Sequence, residues 1–235
     1  MTSPGMHAAD LLIGLETPAE CQANDALVNA TLRKLFQAGW LPSPAVLDTV
    51  GYQRTQQRLT QTFRVERSSV TTRMARLLYG LSDALQPRAI LGVGTAYGNA
   101  LAWLTAPVNG RARVVGVDLD ADATHTARSN FEAAQLQASW LVTDARALPA
   151  LETDPYDLIL IDADDAVTGK GICVELLQAL RPLFAPNAVI LAHDATYPKF
   201  AVDFDAYRQI SRNPALFHGS VTIGIDRFGL EVTRR

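Results

Sequence analysis

The chain has 235 residues, of which 48% are hydrophobic and 19% are charged. This length and composition suit one sizeable hydrophobic core, and therefore one α/β domain with room for an N-terminal extension. The formal net charge of -3 and the lack of a Lys/Arg cluster exclude an electrostatic footprint for nucleic acid, so a small molecule is the expected ligand.

Cysteine usage and hydropathy indicate the compartment. Cys21 and Cys173 are too few for a disulfide framework or a cysteine-rich zinc site, which favours a reducing cytoplasm. No run of about 18 apolar residues predicts a membrane span, and the first ten residues lack the basic start and apolar core of a signal peptide. We therefore expect a cytoplasmic protein with no nucleic-acid or membrane partner. A homodimer is compatible with the sequence.

Capping residues and helical periodicity predict three helices before residue 86. The first runs from the capping box Thr17–Glu20 to about Gln37, the second from Ser43 to Thr62 with an interruption at Gly51, and the third from a cap at Ser68 or Ser69 through Leu81. These helices form a predicted N-terminal extension over residues 1–85, ahead of a ligand-binding domain over residues 86–235.

Two arrangements of this extension stay open. The helices form either a bundle against the sheet edge or a lid over the mouth of the ligand site. Tyr52, Phe63 and Tyr79 are the aromatic side chains that a lid would offer.

From Pro87 onward strands and helices alternate, which requires parallel strands joined by right-handed crossovers. The expected strands are 88–93, 113–118, 139–143, 156–162 and 188–192, and the expected helices are 98–106, 121–135, 171–183 and 201–210. The pattern then breaks into strands 220–225 and 228–233, joined by a two-residue turn at Asp226-Arg227. We predict an α/β fold with a seven-stranded, mostly parallel, Rossmann-like sheet closed by a C-terminal antiparallel hairpin.

The first strand of this sheet ends in a glycine-rich turn that contains Gly92, Gly94 and Gly98. Such a turn lets the backbone lie flat against a ligand, while the next helix aims its N-terminal amides at it. The second strand ends in Asp118, about twenty residues beyond Gly98, where a parallel neighbour delivers a carboxylate to the hydroxyls of a ribose. Taken alone, the turn also fits a structural role, in which its glycines only allow the strand to pack closely against the helix. Turn and acid together predict a nucleoside-containing ligand.

With these motifs, residues 68 to 235 resemble the class I S-adenosylmethionine-dependent methyltransferases, whose seven-stranded sheet ends in such a hairpin. The resemblance implies that Asp118 accepts from the ribose hydroxyls and Asp144 from the adenine amino group, although Asp144 also suits a helix N-cap. Tyr97 and Asn99 are candidates for holding the methionine end of the cofactor. The alternative is that the Tyr97 ring only packs and that Asn99 caps a helix. The expected cofactor-binding residues are Gly92, Gly94, Thr95, Tyr97, Gly98, Asn99, Asp118, Leu119, Asp144, Ala145 and Asp162. The expected catalytic residues are Tyr97, Asn99, Asp162 and His193.

Within that class the sequence looks most like the catechol and caffeoyl-coenzyme-A O-methyltransferases, in which Asp-Ala-Asp-Lys and Asp-Asn motifs at two strand ends hold a divalent cation. Here the motifs read Asp162-Ala163-Asp164-Asp165 and His193-Asp194, so the lysine that the family uses near the acceptor has become Asp165. A metal site of Asp162, His193 and Asp194 is compatible with this pattern. Its imidazole ligand would shift the metal preference toward Mn²⁺ or Zn²⁺. A hydrogen-bonded structural pair is the alternative. We expect S-adenosylmethionine as the cofactor and no metal.

Gly92 departs from the family, which usually has Glu or Asp at this position near the methionine ammonium of the cofactor. One interpretation is that water or another acid such as Asp162 takes the place of this carboxylate. Two enzymatic functions therefore stay open. One is methyl transfer to a hydroxyl or amine of a small molecule. The other is cyclisation of the cofactor, in which its own amine attacks the γ-carbon and gives azetidine-2-carboxylate and methylthioadenosine, as in a small family of this fold. A catalytically silent nucleoside-binding protein is a third hypothesis.

Overall fold

The computed structural model describes residues 6–7, 16–65 and 70–235. The strands are β1 (Met6–His7), β2 (Arg64–Val65), β3 (Ala89–Val93), β4 (Arg113–Asp118), β5 (Ser139–Val142), β6 (Tyr156–Ile161), β7 (Phe184–His193), β8 (Gly219–Ile223) and β9 (Leu230–Arg234). The helices are α1 (Pro18–Gln37), α2 (Thr49–Thr62), α3 (Thr72–Leu85), α4 (Asn99–Thr105), α5 (Ala121–Ala133), α6 (Leu148–Leu151), α7 (Ile172–Ala179) and α8 (Ala201–Ser211). None of the helices in these ranges is long and apolar enough to cross a membrane.

The main sheet has seven strands in the order β5-β4-β3-β6-β7-β9-β8. Strands β3 to β7 pair in parallel, whereas β9 pairs antiparallel with both β7 and β8. The central strand β3 is buried along its whole length, as expected for a parallel strand covered on both faces. The predicted Rossmann-like α/β sheet with its closing antiparallel hairpin is confirmed. A small second sheet pairs β1 with β2, which the sequence pattern did not predict.

The closing hairpin differs from its prediction in the turn. Strands β8 and β9 are separated by residues 224–229 instead of a two-residue turn. The Asp226 carboxylate accepts the backbone N–H groups of Phe228 and Gly229, each at 2.9 Å, and so organises the longer loop. The expectation of a turn at Asp226-Arg227 was wrong because this side chain, and not a type I′ pair, turns the chain.

Two helix starts also differ from their predictions. Helix α2 begins at Thr49 and not at Ser43, because Asp48 caps it by accepting the N–H of Gly51 at 3.0 Å. Gly51 therefore lies in the first turn and interrupts nothing. Helix α3 is capped by the Thr71 side chain. The predicted caps Ser68 and Ser69 lie outside the described residues.

The N-terminal helices share one hydrophobic core with a face of the main sheet. Tyr52 is fully buried and stacks on Trp103 of α4, with ring centroids 5.1 Å apart. Phe63 and Tyr79 are also buried in this core. These aromatic side chains therefore pack against the sheet layer instead of forming a lid surface.

A buried ion cluster ties α1 to α3. The side chain of Arg76 is fully buried and donates to Asp25 Oδ1 at 2.7 Å and to Glu16 Oε2 at 2.8 Å. Its guanidinium also lies over the ring of Tyr52, 4.5 Å from the centroid. Burial alone would raise the pKa of Glu16, but hydrogen bonds from Arg76 and Asn24 outweigh it and lower that pKa.

Replacing Glu16 with glutamine tests this cluster. We expect Glu16→Gln to reduce the free energy of unfolding at pH 7 by about 1–3 kcal/mol, because a charged hydrogen-bond acceptor is lost. The pKa of Glu16 is lowered from its ordinary 4.5, so its contribution is full above pH 4.5 and is lost as the pH falls through the lower folded-state value. Urea unfolding between pH 7 and 3 measures this. Glu132→Gln, at an exposed position of α5, is the control. Equal losses in both variants would contradict the role of the ion pair.

Candidate functional site

A cavity of about 490 Å³ lies at the carboxyl ends of the parallel strands. Its walls come from the turn after β3, from Asp118 at the end of β4, and from the segments that follow β5, β6 and β7. Open α/β sheets bind ligands at this edge, and the volume falls in the usual range for small-molecule sites. The cavity is therefore the candidate functional site.

The glycine-rich turn passes very close to the end of β6. Gly94 has a φ of +70°, and a Cβ atom there would lie 2.5 Å from the backbone N and Cα of Ala163. Gly98 has a φ of +82° and directly precedes α4. Both positions favour glycine because residues with a side chain rarely adopt such positive φ angles. At Gly94 the close contact with the backbone of Ala163 also leaves no space for a Cβ atom.

Most of the predicted site residues line the cavity. These are Gly94, Thr95, Tyr97, Asn99, Asp118, Leu119, Asp144, Ala145, Asp162 and His193. Gly92 and Gly98 are not among the lining residues. Gly92 instead faces α4, where a Cβ atom would lie 2.8 Å from Thr95 Cγ2 and 3.0 Å from Leu101 Cδ1.

The Asp118 carboxylate is fixed by the backbone around it. Its Oδ2 accepts the N–H of Ala96 at 2.7 Å, and its Oδ1 accepts the N–H of Asp120 at 3.0 Å. A carboxylate has about four lone-pair positions, so it retains the capacity to accept hydroxyl groups from a ligand. Leu119, which is 70% exposed, adds an apolar surface beside it at the cavity wall.

Asp144 caps the short 3₁₀ turn at residues 145–147, which is the alternative that the sequence left open. Its carboxylate accepts the backbone N–H of Arg146 at 2.9 Å and pairs with the guanidinium of the same residue at 2.6 Å. These hydrogen bonds lower the pKa of Asp144. Arg146 also pairs with Glu175 at 2.9 Å. The capping role leaves the adenine role of Asp144 as a prediction.

Tyr97 and Asn99 flank the start of α4. The backbone carbonyl of Tyr97 accepts from Asn130 Nδ2 at 2.9 Å, which anchors the turn to α5. Asn99 is buried as the first residue of α4 and lines the cavity. Their part in holding a methionine group stays a prediction.

Four charged or polar side chains meet at the ends of β6 and β7. The Lys170 ammonium donates to Asp162 Oδ1 at 2.7 Å and lies 2.9 Å from Asp194 Oδ2. His193 Nδ1 lies 3.3 Å from the same Asp162 Oδ1. Burial alone would raise the pKa of Asp162, but Lys170 and His193 outweigh it and hold that pKa well below its ordinary value. Burial alone would lower the pKa of Lys170 and of His193, but the carboxylates raise both.

The same cluster contains the candidate metal donors. Asp162, His193 and Asp194 each offer a ligand atom, and these atoms lie within 4.8 Å of one another. The ammonium of Lys170, however, contacts both carboxylates. A divalent cation cannot share these oxygens with an ammonium at hydrogen-bond distance, since the two cations repel each other. With the lysine in place, the donor set does not fit a metal ion.

Sequence reasoning missed Lys170. The pattern suggested that a lysine of the site had been lost to Asp165, but Asp165 is exposed and accepts the N–H groups of Val167 and Thr168 within its own loop. Lys170 comes five residues later. The available signal was its rarity, because the chain has only three lysines and this one stands between two glycines close after a strand-end acid.

The second nitrogen of His193 faces a different environment. Nε2 is buried and has no hydrogen-bond partner among the described residues, while the residue lines the cavity. Because Nδ1 is directed at the Asp162 carboxylate, it carries the proton of the neutral ring, and Nε2 carries the lone pair. The arrangement therefore presents a proton acceptor beside the cavity.

Comparison with known proteins agrees with this geometry. Residues 90–198 match the family model described as a methyltransferase domain, which spans the turn after β3, Asp118 and the cluster at the ends of β6 and β7. This segment is similar to a methyltransferase domain. The chain has the class I fold of that domain, with its seven-stranded sheet and antiparallel C-terminal strands.

The chain is also similar to individual proteins. Catechol O-methyltransferase of Mycobacterium tuberculosis is 32% identical over 101 residues, which are 42% of this chain and 46% of that relative, so the match spans about half its length. Cofactor-bound Rv0187 from MTB has a TM-score of 0.62 and 21% identity, over 100% of this chain and 98% of that chain. The O-methyltransferase from Bacillus cereus in complex with SAH has a TM-score of 0.60 and 20% identity, over 87% of this chain and 96% of that chain.

The close approach of Gly94 to the end of β6 gives a prediction for the stability of the fold. Gly110 has nearly the same φ, +73°, but a Cβ atom there would meet nothing within 4 Å. We expect Gly110→Ala to cost about 1–2 kcal/mol from backbone strain alone. Gly94→Ala should cost about 1–3 kcal/mol more, because its methyl group must push the turn off Ala163. Chemical unfolding of both variants measures the difference, and equal losses would show that the close approach is not required.

Proposed function

We propose that this protein is an S-adenosylmethionine-dependent methyltransferase that transfers a methyl group to a hydroxyl or amine of a small-molecule acceptor. One observation carries the proposal: His193, whose buried Nε2 has no hydrogen-bond partner among the described residues, lines the same cavity as the glycine turn and Asp118. The proposed nucleoside anchor and the imidazole of the proposed base therefore border one cavity. The methyltransferase domain match and the SAH-bound relative from Bacillus cereus support S-adenosylmethionine as the cofactor.

The strand ends suggest how the cofactor lies. Its ribose hydroxyls would donate to Asp118, its adenine would lie toward Asp144 and Ala145, and its methionine end would face the turn with Tyr97 and Asn99. This order follows the sheet from β5 through β4 to β3, because these strands are adjacent. The sulfonium would then point toward β6 and the acid at its end.

The reaction in this arrangement is an in-line displacement at a carbon already activated by positive sulfur. Bound S-adenosylmethionine would supply a methyl carbon whose bond to sulfur would break, with its electron pair going to the sulfur, as the acceptor oxygen or nitrogen bonds to that carbon. His193 Nε2 takes the acceptor proton, and Asp162 holds the imidazole in the correct tautomer and stabilises its charged form. The remaining contribution of the protein is to align the two reactants and to exclude water.

A small-molecule acceptor is the proposed partner, with no nucleic acid and no membrane. A cytoplasmic location and a homodimer stay predictions from the sequence.

Removing the Asp118 carboxylate tests the cofactor site. We expect Asp118→Ala to weaken S-adenosylhomocysteine binding about tenfold or more, because a hydrogen bond to a charged group contributes about 1.5–3 kcal/mol. Isothermal titration calorimetry measures the dissociation constant. Asp122→Ala, an exposed acid in the first turn of α5, is the matched control and should bind normally. Unchanged affinity in Asp118→Ala would refute the ribose assignment.

Cyclisation of the cofactor is the second candidate function, and the surroundings of Gly92 favour it. This position offers no carboxylate to the methionine ammonium, and Thr95 and Leu101 fill the space toward which a side chain would point. An amine without an anionic partner loses its proton more readily, and only the neutral amine attacks the γ-carbon. The products would be azetidine-2-carboxylate and methylthioadenosine.

Mass spectrometry separates the two functions. Given S-adenosylmethionine alone, the methyltransferase should leave it intact, and S-adenosylhomocysteine should appear only when a hydroxyl or amine acceptor is supplied. His193→Gln should then lower turnover about 100- to 10,000-fold through loss of the base, while S-adenosylhomocysteine still binds. His125→Gln, at an exposed position of α5, is the control. Enzymatic release of methylthioadenosine without any acceptor would instead establish cyclisation.

A further inference from the structure

The three candidate metal donors are brought together by strand register. Asp162 directly follows β6, and His193 ends β7, with Asp194 next in the chain. Strands β6 and β7 are parallel neighbours, and Ile161 pairs with Ala192 one residue before the donors begin. The ligand atoms of the three residues lie within 4.8 Å of one another. Two carboxylates and an imidazole at this spacing form a donor set of the kind that holds Mn²⁺ or Zn²⁺.

Lys170 places its own charge in this donor set. Its side chain is 3% exposed, and its ammonium is 2.7 Å from Asp162 and 2.9 Å from Asp194. The lysine reaches the cluster from the loop between β6 and α7. Its ammonium therefore contacts one carboxylate from each of the two strand ends, as a bridging metal ion would.

The burial makes this contact obligatory. A buried ammonium is tolerated only when it is paired and hydrogen-bonded, and here its partners are the carboxylates of Asp162 and Asp194. If a divalent cation bound here, the ammonium would lose both partners and would face two like charges at short range. The lysine and a metal ion are therefore mutually exclusive occupants.

We propose that the Lys170 ammonium is a built-in cation that fills the divalent-metal position formed by Asp162, His193 and Asp194. It neutralises the two carboxylates and holds Asp162 where it orients His193 Nδ1. The intact protein binds no divalent cation at this position. Removal of the lysine side chain uncovers a three-ligand metal site.

The consequence of this Lys170 assignment for the reaction rests on the proposed function. A single ammonium, already shared by two carboxylates, does not chelate a pair of neighbouring hydroxyls. The acceptor therefore needs only one reacting oxygen or nitrogen, and its proton leaves through His193. Lys170 acts as a positioning residue for that base.

Titration with Mn²⁺ alone tests the proposal without any turnover. Electron paramagnetic resonance and calorimetry count bound Mn²⁺ in the intact protein, in Lys170→Ala and in Lys170→Met, which keeps the apolar stem. We expect the uncharged variants to bind one Mn²⁺ at least tenfold more tightly than the intact protein. Lys170→Arg keeps the positive charge and should not bind. A further Asp194→Asn substitution in Lys170→Ala should abolish binding.

Two results would overturn the proposal. One is stoichiometric Mn²⁺ binding by the intact protein that is lost in Asp194→Asn, which would show that lysine and metal coexist. The other is an uncharged variant that folds, as judged by circular dichroism, yet binds no more Mn²⁺ than the intact protein. Neither result bears on methyl transfer, which is measured separately from cofactor products.

Discussion

The pairing of one buried ammonium with two strand-end carboxylates organises the chemical half of this molecule. Lys170 is almost fully buried, so its charge persists only because Asp162 and Asp194 accept from it. Those carboxylates are adjacent because β6 and β7 run in parallel register. The same contact fixes Asp162, which in turn directs the proton of His193 to Nδ1, while the buried Nε2 has no hydrogen-bond partner among the described residues. Charge balance, tautomer and metal exclusion thus follow from one interaction.

A second constraint joins this cluster to the cofactor side of the cavity. Gly94 approaches the backbone of Ala163 so closely that no Cβ atom fits, and Ala163 directly follows Asp162. The turn that would carry the methionine end is therefore held against the strand end that carries the chemistry. Asp118, fixed by the N–H of Ala96 in the same turn, would set the distance to the nucleoside end in the proposed binding mode. Backbone packing and not side-chain flexibility determines the length of the site.

The sequence predicted the sheet well because buried parallel strands and their terminal acids are local patterns. Asp118 and Asp162 could be placed at strand ends on the same edge of the sheet from hydrophobic runs alone. The missed features depend on side chains that reach across the fold. Asp48 and Asp226 decide where a helix begins and how a hairpin turns, and neither follows from periodicity. Lys170 could not be assigned because its loop has no periodic pattern and its partners lie on two strands.

Two of the departures from the resembling family, at Gly92 and at the proposed cation position of Lys170, compensate each other in formal charge. That resemblance implies an acid at the position of Gly92 and a divalent cation at the end of β6. In this chain Gly92 lacks the negative charge of the family's acid, and Lys170 supplies one positive charge where a divalent cation would supply two. The formal charge of these two positions taken together is therefore unchanged, although each differs. The Gly94–Ala163 contact joins the turn that follows Gly92 to the end of β6. A site with lysine in place of the metal but with the acid retained would carry one more negative charge than the site of this protein. Such a site would bind the positively charged sulfonium of the cofactor more tightly than the uncharged sulfur of the product.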